Sequence, residues 1–219
     1  MGRNPVLAIS GLLGCLAVLL GATESCAQPA VEKDDEQVLP SPFHPQEHDN
    51  WCWAASGQMV MEYLGDPSKD YTQCAQVDKK LNKQGACSPP TGDPFQQWRQ
   101  IYDVTGWPQF DQFGFTAKST ESRPDKFLSW QEIKQQIQSK RPFCFTIEWL
   151  QLGGHMVVVR GYRVSGGDRE VLIYDPYPPK IGRDDIHIPY EIFCDNPEGL
   201  SGYAPYHHWR DYYDITKAP

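Results

Sequence analysis

Gly153-Gly154-His155-Met156-Val157-Val158-Val159-Arg160-Gly161-Tyr162-Arg163-Val164-Ser165-Gly166-Gly167-Asp168-Arg169-Glu170-Val171-Leu172-Ile173-Tyr174-Asp175 reads as two antiparallel strands around a tight turn. Residues 155–164 carry an unbroken apolar run from Met156 to Val159, so this strand is expected to be buried on both faces. Gly166-Gly167 between Ser165 and Asp168 is what a short hairpin turn demands. Residues 170–174 form the return strand, ended abruptly by Asp175-Pro176-Tyr177-Pro178-Pro179. In an antiparallel hairpin the start of one strand lies beside the end of the other. His155 and Asp175 are therefore expected to be lateral neighbours, a carboxylate within reach of an imidazole. Gly153-Gly154 ahead of them would let a ligand backbone approach closely.

Upstream of the hairpin the texture is helical. Residues 51–64 place Trp53, Val60 and Leu64 on one side, with Asp49 or Asn50 as cap and Gly65-Asp66-Pro67 as the stop. Thr72 can cap a second helix that carries Cys74, runs towards Gln84 and ends at Gly85. Residues 94–102 have helical spacing, and residues 106–123 read as irregular. Ser129-Trp130-Gln131-Glu132 is a capping-box pattern opening a helix through Ile133 and Ile137. Strands are expected at 143–150 and, beyond the hairpin, at 186–188, 190–193 and 209–215. Helices first and an antiparallel sheet second make an α+β chain with two lobes and no internal repeat.

A chain of 219 residues holds one sizeable domain, or one domain built as two lobes around a cleft. Its net charge of -8, with no basic stripe, argues against a nucleic-acid partner. Arg3, the apolar run 5–21 and the small-x-small site Ser25-Cys26-Ala27 read as a signal peptide over residues 1–27. A lipoprotein signal at Leu12-Leu13-Gly14-Cys15 would cut inside the apolar run, and an uncleaved anchor would leave an obvious cleavage site unused. Residues 28–45, polar, acidic and proline-bearing, read as a mobile leader too short to fold as an inhibitory prodomain. The main domain is then 46–219, secreted or periplasmic.

This compartment makes the cysteines informative. Of seven, Cys15 and Cys26 leave with the signal, and Cys52, Cys74, Cys87, Cys144 and Cys194 remain. Cys52 is the one expected to stay free. Of the three pairings of the other four, Cys74–Cys87 and Cys144–Cys194 join near neighbours and are favoured. All five reduced and buried is the alternative. Cys52 stands between two tryptophans at a helix start, where unsatisfied N–H groups favour a thiolate. That is what a nucleophilic cysteine needs, although a structural cysteine packed between indoles would read the same. Taken together, Cys52 as nucleophile, His155 as base, Asp175 as its orienter and the Gln46 side-chain amide as an oxyanion donor form one acyl-transfer constellation. The Cys52 backbone N–H would be the other oxyanion donor.

Gln46 six residues before Cys52, Trp51-Cys52-Trp53-Ala54-Ala55-Ser56, Gly154-His155-Met156-Val157-Val158 and Asp175-Pro176 resemble papain-like cysteine peptidases. The likeness is to the compact bacterial branch: staphopain-like secreted enzymes, plant-pathogen effector peptidases and the peptidase domains of bacteriocin-processing exporters. It spans residues 46–178. The resemblance implies a papain-like two-lobed fold with the active site between a helical N-terminal lobe and a β-sheet C-terminal lobe. It implies a thiol protease acting through Cys52, His155, Asp175 and Gln46 on a protein or peptide substrate. Papain itself has an asparagine as third member and glycines around its cysteine; here Asp175 and Trp51 stand there, so papain's substrate preference does not carry over. No cofactor is implied, no membrane association after signal cleavage, and a monomer is expected. His187 and His207-His208-Trp209 lack metal-site spacing. The aromatic run 203–213 reads as core before cleft. Two other functions share the same residues: a transglutaminase-like amidase, and an inactive papain-like binding or toxin protein.

Overall fold

The computed structural model describes residues 32–85, 87–88, 104–150 and 153–219. The expected signal peptide and the helix expected at 94–102 lie outside the described residues. In chain order the elements are β1 (Asp35–Val38), α1 (Cys52–Leu64), α2 (Gln73–Leu81), β2 (Phe115–Ser119), α3 (Trp130–Gln138) and β3 (Phe143–Trp149). Then follow β4 (Gly153–Ser165), β5 (Asp168–Asp175), β6 (Arg183–Pro189), α4 (Tyr190–Cys194) and β7 (Tyr206–Lys217). This is an α+β architecture around one antiparallel sheet in the order β2-β7-β3-β4-β5-β6. β4 is long enough to take two partners along one edge: β3 covers Gly153 to Val159 and β1 covers Gly161 to Val164.

Helices cover both faces of the sheet. On one face Trp130, Ile133 and Ile137 of α3 and Phe193 of α4 pack with Phe145, Val157, Val159, Val171 and Ile173. On the other, Trp53, Met59 and Val60 of α1 pack with Cys144, Met156, Val158 and Tyr174. Successive residues of β3 and β4 thus enter opposite cores, which is why Val157, Val158 and Val159 can all be apolar. The expectation of one buried side for α1 is too narrow. Every residue from Cys52 to Met61 is buried, so the helix is enclosed all round. Its small residues permit this. A Cβ on Gly57 would come within 2.4 Å of Gln76 Oε1 on α2 and 3.0 Å of Pro108 Cβ.

Several local expectations shift. Trp51 is the N-cap of α1, with no capping side-chain bond, and Asn50 before it adopts φ 65°. Asn50 therefore turns the chain into the helix rather than capping it. α2 stops at Asn82, left-handed with φ 49°, before it reaches Gly85, because asparagine tolerates that conformation. Residues 190–193, expected as a strand, belong to helix α4, which buries Tyr190, Ile192, Phe193 and Cys194 together instead of alternating them. Within 106–123 lie a 3₁₀ turn, Phe110–Phe113, and strand β2. β2 is mostly exposed and its hydrogen bonds come from β7, so it carries little apolar pattern of its own.

The cysteines correct one expectation. Cys74 and Cys87 are bridged, with Cα atoms 5.7 Å apart. Cys144–Cys194 is not a bridge: Cys144 is a free thiol, and Cys194 is disulfide-bonded elsewhere. The reason is the sheet itself. Cys144 faces the α1 core while Cys194 sits in the α3 and α4 core on the opposite face. Disulfide geometry cannot span that separation.

The described part of the leader is docked rather than mobile. β1 pairs with β4, Leu39 is fully buried, and the Leu39 N–H donates to Arg160 O at 2.8 Å. Ahead of β1, the Glu32 carboxylate accepts from Trp130 Nε1 at 2.9 Å and Arg169 Nε at 2.9 Å, and also pairs with Lys134. Burial alone would raise the Glu32 carboxyl; hydrogen bonds and charge from Lys134 and Arg169 outweigh it and hold the group below its usual 4.5. Glu32→Ala should therefore cost about 2 kcal/mol of unfolding free energy by denaturant titration. The stabilisation is complete above pH 4.5 and is lost as pH falls through the lowered carboxyl value, a dependence the variant should lack.

Candidate functional site

The hairpin that carries His155 is closed by Gly166 and Gly167 at φ 63° and 96°, the positive angles of a two-residue turn. From that turn the register runs Ser165↔Asp168 to Gly161↔Leu172. Arg160 is then passed over, and pairing resumes at Val159↔Ile173 and Val158↔Tyr174. This one-residue bulge decides the site. Without it, the turn's register would set Asp175 opposite Val158, pointing into the α1 core. With it, Asp175 falls in line with Val157, so Asp175 and His155 share a face as diagonal neighbours.

The side chains meet there. His155 Nε2 lies 2.7 Å from Asp175 Oδ1, which also accepts the Tyr177 N–H at 2.9 Å. Both side chains are mostly buried, at 11% and 16% exposure. The imidazole is flanked by Trp149, nearly parallel at 6.5 Å, and by the edge of Tyr177 at 6.2 Å. Cys52, the first residue of α1 and 9% exposed, lines the same cavity as His155 and raises the imidazole's value. With Nε2 on Asp175, Nδ1 is the nitrogen left for the thiol. Burial, the largest single effect, disfavours a charged ring, but the bonds and charges of Asp175 and Cys52 together outweigh it. His155 therefore holds its proton above the ordinary histidine range.

Gln46 is 2% exposed and strapped to the loop that follows Asp175. Its N–H donates to Pro176 O at 2.9 Å, and its carbonyl accepts the Lys180 N–H at 2.8 Å. The side-chain Nε2 donates to His48 O at 2.8 Å. Its Oε1 is buried with no hydrogen-bond partner among the described residues. The structure thus joins His155 and Asp175 side chain to side chain, sets Cys52 on the wall of the same cavity as His155, and holds Gln46 against the Asp175 loop through the backbone.

A cavity of about 440 Å³ opens on Cys52 and His155, walled by Trp53, Met156, Trp107 and Trp209. The last two escaped the sequence reading, Trp107 because it lies in the segment read as irregular and Trp209 because its aromatic run was assigned to core. They meet edge to face at 4.8 Å. The close approach expected at Gly154 is made by the chain itself, since a Cβ there would lie 2.6 Å from the Trp209 ring. Among the described residues, the cluster with metal-ligand atoms close together is Glu47 with Cys74 and Cys87, and its sulfurs are tied up in the disulfide. His208 is structural: Nδ1 lies 2.8 Å from Phe193 O and Nε2 3.2 Å from buried Asp211.

An NMR titration of the imidazole should place the His155 midpoint above 6.5, and Asp175→Asn should bring it down by removing the negative charge. A midpoint unmoved by Asp175→Asn would show that the carboxylate does not hold the ring.

A model of the Peptidase_C39 like family matches residues 38–204. No curated protein matches the chain. Among the described residues no helix is long and apolar enough to cross a membrane.

Proposed function

We propose that this chain, which belongs to the Peptidase_C39 like family and so to the papain-like cysteine-peptidase superfamily, hydrolyses peptide bonds through a thioester on Cys52. The observation that carries the reading is the His155–Asp175 pair on the wall of a cavity that it shares with Cys52, a free thiol at a helix start. His155, which holds its proton above its usual range, is the group placed to accept and return the proton exchanged with Cys52. The resulting thiolate attacks the scissile carbonyl carbon, and the electron pair moves to oxygen. The Cys52 N–H, which the helix does not use, and a Gln46 Nε2 hydrogen would stabilise that oxyanion. Collapse of the intermediate expels the amine, which takes its proton from His155 and leaves the thioester. Neutral His155 then removes a proton from water, the hydroxide displaces the sulfur, and the acid product departs. Asp175 holds the ring in the tautomer that both steps require.

In this reading the two faces of the sheet correspond to the two lobes, with the cavity on Cys52 and His155 as the cleft. We assign the compact bacterial branch, a protein or peptide substrate, a monomer, and secretion to the periplasm or medium, on the resemblances and signal pattern in the sequence. No step calls for a cofactor.

Cys52→Ala and His155→Ala should each lower kcat by about 10⁴-fold or more with folding intact, measured on a peptide substrate. Asp175→Asn should cost less, since an amide still orients the ring. Gln46→Ala should lower kcat by about 10²–10³-fold with KM little changed. Thiol mapping offers a separate check. An electrophilic peptidase probe at neutral pH should label Cys52 and spare Cys144, which is fully buried with its thiol pushed up by burial and then by the charge of Asp211. Full activity in Cys52→Ala would sink the assignment.

A further inference from the structure

We propose that the cavity beside Cys52 selects an acidic side chain of the substrate, and that Lys80 is the residue that reads it. This rests on the peptidase reading of Cys52 and His155. Most of the cavity wall is apolar: Trp53, Trp107, Trp209 and Met156. Its charge is one-sided. Among the described residues that line it, Lys80 and His155 are the cationic groups and there is no carboxylate. A substrate side chain entering here meets hydrophobic surface on most sides and positive charge at the rim.

Lys80 is held where it can act on a residue near the scissile bond. Its stem packs on Gly106, where a Cβ would fall 2.8 Å from Lys80 Cε. Its ammonium lies 5.8 Å from the ring centroid of Trp53, the residue after Cys52. The neighbouring Arg210 is already neutralised. Arg210 stacks on Trp107 at 4.5 Å and on Trp209 at 5.2 Å, but pairs with Glu121 at 2.7 Å. Among the described residues no carboxylate pairs with Lys80. A chain of net charge -8 therefore presents, among the described residues, an unpaired cation on the cavity that holds its nucleophile. A substrate carboxylate would be its natural partner, with the neighbouring indoles lowering the local dielectric and strengthening the pair.

The test is a set of internally quenched peptides in which Glu, Gln or Lys is moved through the positions flanking the cleaved bond. Each is assayed with wild type, Lys80→Met and Lys80→Glu. Methionine keeps the apolar stem and removes the charge. At one position Glu should raise kcat/KM about fivefold over isosteric Gln. That preference should vanish in Lys80→Met, turn towards Lys in Lys80→Glu, and weaken as salt rises. Alkylation of Cys52 by iodoacetamide should proceed at the same rate in all three proteins, showing that the nucleophile is untouched. Equal rates for Glu, Gln and Lys at every position, or a Glu preference that survives Lys80→Met, would overturn the proposal while leaving the peptidase reading in place. Alkylation of Cys52 with no cleavage of any peptide would overturn the peptidase reading and this inference with it.

Discussion

The register of the β4–β5 hairpin, fixed at one end by Gly166-Gly167 and displaced by one residue at Arg160, sets the position of everything chemical in this molecule. A strand pair has a side-chain period of two, so a single residue passed over moves every later side chain to the other face. The switch is visible in the cores. Before the bulge Val157 and Val159 face the α3 side; after it Tyr162 and Val164 do. The same displacement carries Asp175 to the face of His155. The bulge is itself supported from the flank. Leu39 donates to the Arg160 carbonyl, and β1 lies so close over Gly161 that a Cβ there would come within 2.7 Å of Gln37 O. The docked leader thus bears on the site from a distance, through the strand whose register it covers.

Enclosure of α1 is the second constraint. A helix that is buried from Cys52 to Met61 cannot rotate or slide without opening two interfaces. Small residues let α2 and the sheet approach it, and polar groups tie it down: Ser56 Oγ donates to Met156 O at 3.2 Å, Gln76 Nε2 to Ala54 O at 2.6 Å, and Trp53 Nε1 to Val104 O at 3.0 Å. The Cys52 thiol at its first turn is consequently presented to β4 at a fixed height. Gln46 reaches the same neighbourhood from the other direction, held by the loop after Asp175.

The two free thiols lie in different surroundings. Cys144 lies mid-strand beneath α1, fully buried, where burial penalises the thiolate and the charge of Asp211 adds to the penalty. Cys52 lies at the start of a helix, on the wall of a cavity that it shares with His155. The sheet keeps Cys144 and Cys194 in separate cores, so Cys144 stays reduced without any protection beyond packing.

Local signals in the sequence determined a good deal. The capping box at Ser129 opens α3 with both reciprocal bonds formed, Thr72 caps α2, and the double glycine closes the hairpin, because each depends only on residues within one turn of chain. The closeness of His155 to Asp175 was legible for the same reason, since a short turn leaves few ways to fold the strands. The tertiary structure alone decided the rest. β4 is buried on both faces, so it has no polar alternation from which a bulge could be read. β2 takes its strand form from β7, and the leader takes its order from β4 and, through Glu32, from Trp130, Lys134 and Arg169, partners far away along the chain. Cys194 is barred from Cys144 by a sheet that no spacing rule contains. Trp107, Trp209 and Lys80 become the surroundings of Cys52 only when α1, α2 and β7 are packed together. Short-range geometry was written in the residues; which face, which partner and which wall depended on where distant segments could pack without leaving polar backbone or charge unpaired.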